Sequence, residues 1–240
     1  WWSGSGNIYH WNRDVLSRAF ALTAYAGQPV ILAVPKKLDP YQEHAVRQLC
    51  QLYPLVKPTG MDFGDRWKVE TAIVPSQAPN TVGSGLLHPD VADFVRHINI
   101  YDVTPEGPDI PILYISRLNC SHRRLLNEPE LLKRLQSNFE CTVVHIEELA
   151  YKEQVRLMQR VGVLVGVYGA GLTHLYFTRR HGLIEIHNGD SKETHFMTLA
   201  ASCRSPYAQI QGSLSDPRQD FSMSNQQMDQ VVEAVGRFVR

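Results

Sequence analysis

The segment that most constrains this chain is residues 161–177, VGVLVGVYGAGLTHLYF. An apolar run rich in valine passes straight into Tyr168-Gly169-Ala170-Gly171-Leu172. Such a run suits a strand buried on both faces, as parallel strands are when helices cover them. The glycines then let the backbone turn and approach a neighbour or ligand closely. Residues after the turn read as a short helix, whose unpaired amides and positive dipole end suit an anion. A tight turn under a closely packed helix accounts for the same residues without a ligand.

The alternation extends to both sides. Residues 112–115, 141–146 and 183–187 read as strands, and 127–139 and 152–160 as helices. Asn127 is placed as an N-cap with Glu130 three residues on, a capping-box spacing. Earlier, 12–26 reads as a helix, with Val15, Leu16, Ala19, Phe20 and Ala24 near one face. PVILAVP at 29–35 reads as a strand buried on both faces, and 69–74 is another strand candidate. Helices are expected at 39–52 and 89–98, and a last one from about residue 226. The last carries Met228, Val231, Val232, Val235 and Phe238 on one stripe, with Ser224 and Gln227 at its cap. Residues 1–7 read as a loop. Residues 102–111 hold three prolines and a glycine and form the best linker.

These elements imply an α/β fold of two Rossmann-like lobes around a cleft. The lobes are residues 1–107 and 108–240, with the last helix free to pack back on the first. Ligands of open α/β sheets sit at the carboxyl ends of the strands.

Composition narrows the function classes. With 24 Lys and Arg against 24 Asp and Glu, the net charge is zero in 240 residues. A nucleic-acid partner would call for a basic excess. No apolar run reaches the roughly 18 residues that span a membrane. The chain begins at Trp1, so it reads as a fragment or processed form, with any leader or anchor out of view. Cys50, Cys120, Cys141 and Cys203 are far apart and form no CxxC, which excludes zinc ribbons and thioredoxin-type motifs. Two disulfides or four free thiols both remain open. Asn119-Cys120-Ser121 is a glycosylation sequon that matters only in the secretory pathway.

Several catalytic signatures are absent, among them the P-loop, the GxSxG elbow and any DxD. Gly169-Ala170-Gly171 supplies the first two glycines of a dinucleotide fingerprint, but His174 replaces the third, which gives an NAD(P) oxidoreductase weak support. His181, Glu185 and His187 are close in sequence, but only Glu185 and His187 share a strand face, so a strand-end polar cluster is the plainer reading. Ser116-Arg117 follows a strand, and Arg123-Arg124 precede a helix. Arginines at such positions can clamp a diphosphate with forked donors. His10 and Asp14 are four apart at the first helix, where either is a candidate general base. A first-turn acid favouring the helix dipole explains Asp14 equally well.

Three blocks in order resemble the glycosyltransferases of family GT61, also called DUF563. They are Asn7-Ile8-Tyr9-His10-Trp11 with Asp14, then Tyr114-Ile115-Ser116-Arg117 with Arg123-Arg124-Leu125-Leu126-Asn127-Glu128, then residues 166–177. Glu153-Gln154 and Leu183-Ile184-Glu185-Ile186 flank the third block in keeping with this. The Gly-Ala-Gly-Leu-Thr-His stretch is most similar to the branch that modifies EGF domains with O-linked N-acetylglucosamine.

The resemblance implies a GT-B-like fold and inverting transfer from a UDP-sugar to a hydroxyl of a protein or glycan, with no cofactor or metal required. Its donor-binding residues would be Ser116, Arg117, Arg123, Tyr168, Gly169, Ala170, Gly171, Leu172, Thr173 and Glu185, the last near the ribose or uracil. Asn127 and Glu128 would cap and brace the arginine loop. Asp14 and His10 would be catalytic, with Asp14 the favoured base. Tyr168 departs from the usual histidine; it can donate a hydrogen bond but carries no charge. Eukaryotic relatives work in the ER or Golgi lumen; a bacterial one would be cytoplasmic. A non-catalytic sugar-nucleotide or glycan-binding module of the same fold is the alternative.

Overall fold

The computed structural model describes residues 6–62, 64–75, 86–189, 193–214 and 216–239. Residues 1–5 of the expected N-terminal loop lie outside them. The chain starts with α1 (Ile8–His10), capped by the Asn7 side chain accepting from Tyr9 N at 2.8 Å. A π-helical turn, Trp11–Val15, and a 3-10 stretch, Leu16–Tyr25, continue it. The helix expected at 12–26 therefore begins earlier and is not α-helical along its length.

β1 (Val30–Pro35), α2 (Pro40–Leu52), β2 (Val56–Met61) and α3 (Pro89–Ile100) follow. β1 and β2 form a two-stranded parallel sheet. Its apolar sequence suggested burial on both faces, but Ile31 is 67% exposed, so only one face is covered. Residues 69–74, expected as a strand, have no ladder and lie mostly exposed. Among the described residues no strand pairs with them.

The rest is β3 (Ile110–Ile115), α4 (Glu128–Asn138), β4 (Cys141–Val144), α5 (Tyr151–Met158), β5 (Val161–Val167), a 3-10 helix (Ala170–Phe177), β6 (Gly182–His187), α6 (His195–Ser202), β7 (Tyr207–Gln211) and α7 (Asn225–Phe238). Strands β4-β3-β5-β6-β7 make one sheet, and every pairing is parallel. The α/β class with parallel sheets thus holds.

Two apolar cores clad this sheet. On one face α4 and α7 bring Leu131, Leu135, Met228, Val231 and Val235 against Ile112, Val163 and Ile184. On the other, α5, α6 and the 3-10 helix join Leu113 and Leu164 in a core that also contains Tyr9, Trp11, Leu49, Val95 and Ile98 from the N-terminal half. α4 and α5 therefore leave the sheet on opposite faces. The chain reverses direction at β3, and a crevice opens where β3 and β5 end side by side. All four cysteines are free thiols.

Candidate functional site

A cavity of about 640 Å³ lies at this reversal point. Ser116 and Arg117 after β3, Ala170 and Gly171 after β5, and Tyr151 and Gln154 of α5 contribute to its wall. Asn7, Ile8, Pro40 and Tyr41 close it from the N-terminal side. That volume is in the range of small-molecule sites.

The glycine-rich turn is shaped by close approaches. A β-carbon on Gly166 would press on Leu172 and the Ile115 carbonyl, and one on Gly169 would collide with the Arg117 guanidinium. Leu172 N donates to Gly169 O at 3.0 Å, so the Ala170 and Gly171 amides precede the first internal bond of the helix. Behind the turn, Gln154 Nε2 donates to the carbonyls of Ile146 and Leu149, which leaves Gln154 Oε1 facing His174 Nε2 at 2.8 Å. His174 Nδ1 lies 2.8 Å from Gly171 O. Burial pushes this imidazole down to about 4, and since both facing oxygens are acceptors, the neutral ring donates to one of them and only lies against the other.

Two arginines stand over the turn. Arg117 Nη2 donates to His122 O at 3.1 Å, and Arg123 Nη2 lies 3.0 Å from His122 Nε2. Among the described residues neither meets a carboxylate, and the Nε of each is buried without a partner. Burial, and then the Arg117 charge, holds Arg123 below the usual arginine range. Arg123 has left-handed backbone, φ 57°, and its Cζ lies 5.2 Å from the Tyr168 ring centre. A cation pair without counterions, beside free helix amides, is a site built for an anion.

The loop carrying these arginines is anchored at both ends. Arg124, expected in the same basic cluster, instead pairs with buried Asp220 through Nε (2.9 Å) and Nη2 (2.6 Å). Arg123 N donates to Arg218 O, and Leu126 N to Phe221 O. Asn127 stands at the N-cap position of α4, but its side chain makes no cap bond. It bonds both backbone groups of Met223 instead, at 2.9 and 3.1 Å. Glu128 is fully buried and accepts from Ser116 Oγ (2.5 Å) and Tyr114 Oη (3.0 Å). Ser116 thus braces the end of β3.

Beyond Tyr168 lies the N-terminal pair. His10 Nδ1 is 2.8 Å from Asp14 Oδ2, and Arg13 Nη1 donates to Asp14 Oδ1 at 2.6 Å. The Asp14 side chain is 1% exposed and that of His10 30%. A carboxylate only accepts, so His10 carries its proton on Nδ1. Tyr9 connects this pair to the turn: its ring packs edge-on against His10 and His195, and its hydroxyl donates to His195 O. His195 Nδ1 in turn lies 2.8 Å from Tyr168 Oη.

Arg117, Arg123, Tyr168 and residues 169–172 are therefore brought together, with His10 and Asp14 at the far end of the same chain of contacts. Thr173 and Glu185 lie underneath, each fully buried. Glu185 accepts from Tyr207 Oη at 2.6 Å, and burial pushes its carboxyl up to about 7. His187 Nε2 is 3.6 Å from Glu185 Oε1, and neither atom has a hydrogen-bond partner. His181 precedes β6. Among the described residues no group of three or more His, Cys, Asp or Glu is placed to hold a metal ion. None of their helices is long and apolar enough to cross a membrane. Sequence reasoning missed His195 and Tyr9 because both act through contacts far apart along the chain.

Residues 8–184, well over half of the chain, match the family model described as Glycosyltransferase 61. The chain belongs to this family. It is similar to the EGF domain-specific O-linked N-acetylglucosamine transferase of Drosophila melanogaster, 35% identical over 88 residues, which is 36% of this chain and 17% of that protein. The Bos taurus protein of the same name is 32% identical over 98 residues, 39% of this chain and 18% of its own length. The match to Gallus gallus is 32% over 99 residues, 40% and 18%. Each match thus covers less than a fifth of the relative.

Proposed function

We propose that this chain transfers a sugar from a UDP-sugar to a hydroxyl of a glycan or glycoprotein, with inversion at the anomeric carbon. The observation that carries the reading is the pair Arg117 and Arg123, without carboxylate partners among the described residues, at the glycine-rich turn beside the cavity. The nucleoside occupies the cavity. The diphosphate lies on the Ala170 and Gly171 amides and the two guanidiniums, which supply the countercharge without a required metal. The sugar then extends past Tyr168 towards His10 and Asp14.

In the transfer step a base takes the acceptor proton as the acceptor oxygen attacks the anomeric carbon. The bond to the β-phosphate oxygen breaks on the opposite face, and UDP leaves with the electron pair, stabilised by the arginines. Sequence reasoning favours Asp14 as base. The geometry favours His10, because Asp14 is buried with both oxygens engaged and His10 is the more exposed partner. Asp14 then holds the imidazole in the Nδ1–H tautomer, leaving Nε2 as the proton acceptor.

The reading carries a GT-B-like division, with 1–107 on the acceptor side and 108–240 on the donor side, and the ER or Golgi lumen as compartment. Calorimetry with UDP tests it, followed by donor hydrolysis across UDP-sugars. Binding that is lost in Arg117→Ala and Arg123→Ala supports it; a wild-type chain that binds no UDP overturns it. The engagement of both Asp14 oxygens also suits a second reading, a sugar-nucleotide-binding module without turnover. Transfer abolished by His10→Ala excludes that module.

A further inference from the structure

Tyr168 Oη and Glu193 Oε2 both approach the same atom, His195 Nδ1, at 2.8 and 3.3 Å. A carboxylate cannot donate, so the tautomer that satisfies Glu193 places the proton on Nδ1. The phenol oxygen of Tyr168 then accepts from His195, and its own O–H points elsewhere. With the opposite tautomer, the Tyr168 proton would be spent on Nδ1 and the carboxylate would face a lone pair.

The ring of Tyr168 has little freedom to choose otherwise. His187 lies 4.5 Å from it, centroid to centroid, Phe196 packs edge-on at 5.5 Å, and the His195 ring is nearly parallel to it at 6.2 Å. Arg123 sits over it. Burial pushes the phenol up to about 12, so it keeps its proton, and burial also holds the His195 imidazole below the usual histidine range against the pull of Glu193. The one adjustable feature is therefore rotation of the O–H bond, and His195 sets it.

Resting on the nucleotide-diphosphate reading above, we infer that His195, oriented by Glu193, is a positioning residue that frees the Tyr168 hydroxyl to donate to the diphosphate held by Arg117 and Arg123. The relay runs carboxylate, imidazole, phenol, anion. It also explains why the first residue of α6 is tied to both the turn and the N-terminal helix: the Tyr9 hydroxyl donates to the His195 carbonyl. A shift of α6 would therefore reach the anion site and the His10–Asp14 pair together.

Two measurements test this. Imidazole 15N shifts of the free protein should report His195 protonated on Nδ1; an Nε2–H tautomer overturns the relay. Calorimetry with UDP should show Tyr168→Phe and His195→Ala each weakening binding by roughly 10-fold or more, the worth of one hydrogen bond to a charged acceptor. The double variant should lose no more than either single, as coupled partners do. His195→Asn, whose amide nitrogen falls near the Nδ1 position, should restore affinity, and uridine, which lacks the diphosphate, should bind all variants alike. Additive losses, or a failed rescue by asparagine, show a merely structural histidine and overturn the relay. A wild-type chain with the Nδ1–H tautomer that binds no UDP leaves the relay standing and overturns the nucleotide reading instead.

Discussion

The guanidinium of Arg117 occupies the space that a β-carbon at position 169 would need. The Gly169 backbone is extended, φ 168° and ψ 167°, so alanine meets no conformational penalty there. The cost of Gly169→Ala falls on the arginine, the flexible partner. The variant should fold with a Tm within about 2 °C of wild type. UDP binding should fall by about 10-fold or more, since a charge-assisted contact contributes roughly 1.5–3 kcal/mol. Paired melting and calorimetry check both halves; an unchanged affinity rejects the placement of Arg117 on the anion.

Arg123 is costly to the empty protein. It holds left-handed backbone, which disfavours a side chain, and faces the Arg117 charge without a counterion among the described residues. Arg123→Gly should therefore melt at or above the wild-type temperature while UDP affinity drops by roughly 10-fold or more. Adding UDP should stabilise the wild type more than the variant. A variant that melts lower and binds UDP normally contradicts the role given to Arg123.

Glu185 gives stability a pH dependence of definite sign. Burial raises its carboxyl from 4.5 to about 7 in the folded chain. The folded state thus holds a proton that the unfolded state has released. This contribution is fully present below pH 4.5 and is lost as pH rises to about 7. Glu185→Gln keeps an acceptor for Tyr207 without the charge. Urea unfolding should find the variant more stable than wild type at about pH 8, by up to ~3 kcal/mol, and equal to it near pH 4. A constant difference across that range would assign the effect to packing.

Asp14 and His10 separate binding from turnover. Asp14→Asn leaves the anion site untouched but no longer fixes the His10 tautomer. UDP affinity should stay within twofold, while the transfer rate falls by roughly 10²–10⁴. Joint loss of both would place Asp14 in the fold of the site and remove His10 as the base it serves.

The parts of this molecule legible in the sequence are those where one force dominates. Residues 161–167 and 183–187 are apolar enough to be strands in the interior, and they are. β2, VKPTGM, was illegible because proline, glycine and lysine hide a strand that is largely exposed and held by a single neighbour. Residues 69–74 erred the other way, with β-branched residues that suit a strand and, among the described residues, no partner. Arg117 and Arg123 were legible by position beside the turn. His195 was not, because no spacing relates residue 195 to residue 168; the crossover from β6 to α6 creates that contact. Asn127 was read as a cap from local spacing, and a tertiary demand from Met223 claimed its amide instead.

The anchoring of the arginine loop sets the smallest fragment that can work. The family match ends at residue 184, and a chain cut there would keep the whole glycine turn, both arginines and the His10–Asp14 pair. It would discard Asp220, the Arg218 and Phe221 carbonyls and the Met223 backbone, from which residues 123–127 hang. Such a fragment would carry the turn and both arginines with nothing to aim the arginines. For anyone trimming or grafting this fold, the boundary belongs after α7, which covers the sheet face beside these anchors.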